Sequence, residues 1–198
     1  MTSSIALLTL ALATGTADGS RPRDFELGAV ATTATTTGPT VGPDMAVSLG
    51  RPDLHLRVGM QVLGGPDRRL SPAGHRGGEV LDTGTLHMCA ARGRGGFRVR
   101  LCGGGQIGTT HLRYRNFPTP GRRVMPWAAL TGFGDLAIPL GRRVGLDADR
   151  VGLLLQGGAM VPVLGPAIVM RSDDWPPMIR LPRSVGLMMG AGIRVALR

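Results

Sequence analysis

Few side chains in this sequence could do chemistry. The two cysteines, Cys89 and Cys102, bracket the stretch CAARGRGGFRVRLC, and the four histidines, His55, His75, His87 and His111, lie apart along the chain. A structural zinc site takes four ligands at characteristic spacing, and His87 near the two thiols does not complete a set. A catalytic thiol needs a general base in reach and no second thiol facing it. Ser71 and His75 share a Gly- and Pro-containing loop that would not hold a dyad in register, and His111 has no serine near it in sequence. The runs Gly103-Gly104-Gly105 and Gly157-Gly158 are not phosphate loops, because no strand-to-helix transition follows them. The expectation is no catalytic, cofactor-binding or metal-binding residue. The spacing of the thiols must then be explained by the element that carries them.

That element reads as a hairpin. Gly95-Gly96 suits the two central positions of a type I′ turn, which both require positive φ. With that turn Arg94 faces Phe97, Arg92 faces Val99, Ala90 faces Leu101 and Cys89 faces Cys102. Side-chain alternation gives the same register: Phe97, Val99 and Leu101 share one face, while Arg98, Arg100 and Cys102 share the other. Opposite Cβ atoms lie about 4.5–5.5 Å apart, slightly beyond the usual disulfide spacing, so a bridge requires some adjustment of the strands. A disulfide is the expected state in an exported chain; two unpaired packing cysteines are the other reading.

The rest of the chain is organised in the same way. No helical stripe follows residue 20, and period-two alternation recurs between Gly, Pro and Arg turns. Leu54, Leu56, Val58, Met60 and Val62 alternate with His55, Arg57, Gly59 and Gln61. The sequence predicts eight strands, at about 25–37, 44–50, 53–64, 82–92, 97–114, 125–140, 150–164 and 184–198. Short connections (GRPD and RGRGG) and a third, longer turn from Gly141 to Arg150 alternate with the connections around residues 64–81, 115–124 and 165–183. Alternation alone leaves open which face is wet.

At 198 residues the chain suits one domain. Its 23 basic residues are all arginine, for a net charge of +10, but they are dispersed and accompanied by few aromatics, which argues against nucleic-acid binding. The apolar run Ile5–Ala13 followed by Gly15-Thr16-Ala17 resembles an export signal without a basic start. Residues 1–17 are accordingly expected to be a signal peptide and residues 25–198 a single β-domain.

The alternation, the loop rhythm and the last strand, VGLMMGAGIRVALR, resemble the small eight-stranded outer-membrane β-barrels of Gram-negative bacteria, the OmpA-type barrel family. Members usually end on an aromatic; this chain has aliphatics there and ends in Arg198. The resemblance implies an all-β, eight-stranded antiparallel up-and-down transmembrane barrel in the bacterial outer membrane. It further implies a non-enzymatic structural or surface-interaction role, with membrane lipids, including lipopolysaccharide, as partners. Trp127, Tyr114, Phe117 and Trp175 would mark the loop-side girdle, and Phe25 and Phe97 the opposite rim.

In such a barrel Arg57, Arg98, Arg100, Gln106, Asp135, Gln156 and Arg194 project into a lumen just wide enough for side chains. Asp135 is then expected to pair with interior arginines, since an unpaired buried charge is costly. Loop residues Arg68, Arg69, Arg76, Arg122 and Arg123 could contact anionic lipid headgroups. Two other readings are a soluble secreted lipocalin-like or β-sandwich binder with the apolar faces inward, and an outer-membrane hydrolase or acyltransferase.

Overall fold

The computed structural model describes residues 22–69, 74–94, 97–115, 121–140, 150–172 and 175–197. Every regular element among them is a strand. Eight strands form the wall: β1 (Pro22–Thr32), β2 (Thr40–Gly50), β3 (Leu54–Gly64), β5 (Arg76–Arg94), β6 (Phe97–Arg115), β7 (Gly121–Pro139), β8 (Val151–Leu164) and β11 (Gly186–Ala196). Each pairs antiparallel with its neighbour; β1 pairs β11 and β3 pairs β5, so the sheet closes on itself. Within the height shared by all eight strands, closure pairs each described wall strand on both sides. Above the wall, β4 (Arg68–Arg69) pairs with the top of β5, and β9 (Ile168–Ser172) with β10 (Trp175–Arg180) forms a separate ribbon.

The direction of the apolar faces is now decided. Leu101 is 68 % exposed and Ile107 72 %, and Leu27, Leu86, Leu130, Leu187 and Met189 likewise point out. The alternate residues, rich in charge, Thr and Gly, are buried. A soluble sandwich or lipocalin-like fold would reverse this arrangement. An apolar exterior around a polar interior is the pattern of a barrel that meets lipid.

The wall is uneven in height. An 11-residue strand runs about 36 Å and, tilted by about 40°, rises about 27 Å, close to the apolar band of such barrels. β5, β6 and β7 have 19 residues each. Much of the surplus stands at the loop end: β7 continues through Gly121–Trp127 beyond its last pairing with β8. The sequence reading placed residues 76–81 and 121–124 in loops. They are strand because backbone pairing such as Gly78 with Arg113 and Arg122 with Arg113 continues whatever the side chains. Conversely, the first strand stops at Thr32, where a Thr-rich loop folds over the lumen, and the second starts at Thr40. The expected Gly95-Gly96 turn, most of the turn from Gly141 to Arg150 and the 1–17 signal segment lie outside the described residues.

Glycine on the inner wall permits close strand approach. A Cβ on Gly108 would lie 1.9 Å from the Asp82 carbonyl oxygen, and one on Gly104 2.1 Å from that of Leu86. Both contacts are far inside van der Waals limits, so larger residues there would force β5 and β6 apart.

Candidate functional site

The lumen is built from alternate residues of all eight wall strands, and its turn-side half carries charge. Arg57 donates through Nε to Glu26 Oε2 (2.8 Å) and through Nη2 to Asp44 Oδ2 (2.6 Å). Arg100 donates through Nε to both oxygens of Asp135 (2.7 and 2.9 Å) and through Nη1 to Glu26 Oε1. Glu26 therefore links two guanidiniums in a chain that runs Asp44, Arg57, Glu26, Arg100, Asp135, from β2 across the interior to β7. Nearer the turn-side mouth, Asp24 sits 3.6 Å from Arg98 and 3.7 Å from Arg194. These four carboxylates and four guanidiniums carry no net charge, which is what burial in a narrow, weakly hydrated space demands.

Neighbouring groups hold the chain in place. Ser48 donates to Glu26 Oε1 at 3.4 Å, and the Arg57 guanidinium lies 5.6 Å from the Phe133 ring centre. Phe133 meets His87 edge-on at 5.0 Å, and His87 Nε2 is 2.6 Å from Thr131 Oγ1. Cys89 and Cys102 face each other on the inner wall with Cα atoms 4.1 Å apart and form a disulfide.

The loop-side half of the lumen is different. Leu63, Leu81, Leu112, Trp127 and Met160 are fully buried there. Gln106 accepts from Thr83 (3.3 Å) and donates to the Met160 sulfur (3.0 Å). Among the described residues the buried carboxylate of this half is Glu79, which accepts from the Thr37 backbone N–H (3.1 Å), the Thr37 hydroxyl (3.3 Å) and the Thr110 hydroxyl (2.9 Å). Glu79 thereby pins the β1–β2 loop across the barrel.

Of the residues singled out by sequence, Arg57, Arg100, Gln106 and Asp135 are buried in the lumen, and Asp135 pairs with Arg100. Arg98 and Arg194 sit at its mouth, and Gln156 is half-buried, its amide packed over Gly190. Trp127 corrects the girdle expectation: it is 0 % exposed and lies inside, against Gly165. Its even spacing from Asp135 on one strand carried that signal. Sequence reasoning missed Asp24, Glu26, Asp44 and Glu79, of which Glu26 joins the network together. Phe117 lies outside the described residues.

Arg68, Arg69, Arg76, Arg122 and Arg123 are exposed at the loop end but do not form one patch, since Arg122 and Arg123 face opposite sides of β7. Arg113, unremarked in the sequence, stands directly across from Arg122. Arg115 pairs with Asp67 (3.2 Å), Arg76 donates to the Asp67 carbonyl (3.2 Å), and Arg122 lies 3.3 Å from His111 Nδ1. His111, the histidine weighed for catalysis, also contacts Thr109 (3.3 Å); Ser71 lies outside the described residues.

The arrangement defines a class: a small eight-stranded β-barrel of outer-membrane type, with a lipid-facing exterior and a lumen filled by side chains. Solved structures share this fold. Neisserial surface protein A superposes with a TM-score of 0.58 at 9 % identity, covering 91 % of this chain and all of that one. A major outer membrane protein from Thermus thermophilus gives 0.54 at 12 % identity, covering 87 % of this chain and 99 % of that one. No protein-family model and no curated protein matches the sequence.

Proposed function

We propose that the chain is a non-enzymatic protein of the bacterial outer membrane, with a structural or surface-interaction role and a lumen closed to solutes. The observation that carries this reading is the pairing of an apolar outer belt with a buried, charge-balanced network across the interior. Eight strands leave room only for side chains, and here arginines occupy that room. The interaction surface is then the loop end, where Arg68, Arg69, Arg76, Arg122 and Arg123 meet anionic headgroups. Residues 1–17 serve as the export leader.

The test is electrophoresis of the detergent-extracted outer-membrane fraction with and without boiling, combined with dye and ion efflux from vesicles holding the purified protein. A heat-dependent mobility shift with tight vesicles is expected. A soluble periplasmic protein without a shift would overturn the membrane assignment, and rapid efflux would overturn the closed lumen.

A further inference from the structure

The turn-side mouth of the lumen is not balanced as the interior is. The linked chain from Asp44 to Asp135 holds three carboxylates and two guanidiniums. At the mouth the ratio is reversed: among the described residues Arg98 and Arg194 flank one carboxylate, Asp24, with one guanidinium toward each of its oxygens. Both separations, 3.6 and 3.7 Å, exceed hydrogen-bond length. Two guanidiniums against one carboxylate leave this layer with an excess of one positive charge.

Unused donors gather around it. Arg194 Nε and Nη1 are buried without a hydrogen-bond partner among the described residues. Arg100 bonds Asp135 and Glu26 through Nε and Nη1, and its Nη2 is likewise buried and unpartnered. His55 is 2 % exposed, neither of its ring nitrogens has a partner, and the charges acting on it are those of Arg100, Arg98, Asp24 and Glu26. Buried donors are seldom left unpaired, and three residues carrying them at one end of the lumen call for a group rich in acceptors. Solution reaches this layer. Arg98 donates to the Pro52 carbonyl under the β2–β3 turn, yet the Arg98 and Arg194 side chains keep 19 % and 14 % exposure.

Asp24 narrows the choice of anion. An ionised carboxylate only accepts hydrogen bonds, so an anion seated among these donors must turn a proton of its own toward it. Sulfate and phosphodiesters carry none near neutral pH. Inorganic phosphate and phosphate monoesters do, because the second proton leaves only at about pH 6. Their protonated form has one negative charge, which matches the excess at the mouth, and guanidiniums suit its remaining oxygens.

We propose that the turn-side mouth binds a phosphate monoanion, free or as a monoester, with Asp24 accepting its P–O–H and Arg98, Arg194 and His55 donating to its other oxygens. The site itself needs only the barrel; that it faces the periplasm rests on the membrane reading above. The linked chain beneath it keeps the lumen closed.

The test is equilibrium dialysis of radiolabelled orthophosphate against the folded full chain in a non-ionic detergent, at about pH 6 and fixed ionic strength, with sulfate, glycerol phosphate or dimethyl phosphate as competitor. Phosphate should bind saturably and be displaced by glycerol phosphate, whereas sulfate and dimethyl phosphate should compete about tenfold less well, the equivalent of one charge-assisted hydrogen bond. Whichever of orthophosphate and glycerol phosphate binds more tightly identifies the source as the free ion or an ester. D24N should bring sulfate level with phosphate, since an amide donates to either. R194Q should weaken phosphate about tenfold. Asp24 and Arg194 lie outside the linked chain, so both variants should keep the heat-dependent mobility shift, which is recorded for each protein. If wild type lacks the shift, the barrel reading itself fails. If wild type keeps the shift but binds no phosphate, or binds sulfate equally well, or if D24N still discriminates, this site is wrong.

Discussion

The two halves of the lumen bury polar groups by different means. On the turn side each carboxylate is answered by a guanidinium, and the pairs are linked through Glu26. On the loop side Glu79 is held by two hydroxyls and by backbone N–H groups of Thr36 and Thr37, with no cation among these partners, near a cluster of Leu, Met and Trp. The first half is a network in which removal of one member strands its neighbours. The second is a local clamp on one loop. Damage should therefore spread in the first and stay confined in the second.

The largest effect is expected for Arg100→Ala, which leaves Glu26 and Asp135 short of a partner. It should cost about 3–5 kcal/mol, the usual penalty for breaking a buried pair, measured by urea unfolding of the vesicle-inserted barrel. Adding Asp135→Asn should recover part of that loss, because the stranded carboxylate goes with it; equal or greater loss in the double variant would contradict a coupled network.

Next comes the disulfide. Cys89→Ser with Cys102→Ser removes a short closed loop, and chain-entropy reasoning caps its effect at about 3 kcal/mol. The strands flanking it remain paired on both sides, so the mobility shift should persist. Glu79→Ala should cost about 2 kcal/mol through hydrogen bonds to a charged group. Hydrogen exchange should rise in residues 33–39 while the turn-side strands stay protected. The smallest effect is expected for Thr131→Val, about 1 kcal/mol from one hydrogen bond to His87. A larger loss there than for Arg100→Ala would invert the comparison.

Legibility in the sequence followed side-chain contrast. The β5–β6 register through Cys89 and Cys102 was readable because bulky apolar residues alternate with Arg and Cys on either side of a Gly-Gly pair in the sequence. On β3 the same contrast exposed Arg57. On β1, Asp24 and Glu26 do alternate with Phe25 and Leu27, but the run then passes into Gly and Ala, whose small side chains blur which face is which. The Glu26 hub went unread for that reason, as did Asp44 on a strand interrupted by Gly42 and Pro43. Strand ends at residues 76–81 and 121–124 were hidden because ladder pairing does not depend on the residue types present.

The central claim is that the apolar faces meet lipid while Trp127 and the charges are enclosed. It is tested most directly by tryptophan quenching with brominated lipid in vesicles. The background carries Trp175→Phe, leaving Trp127, and is compared with the same protein carrying Leu101→Trp. Strong quenching is predicted for the tryptophan at position 101 and little for Trp127. Quenching of Trp127, with none at position 101, would contradict the account.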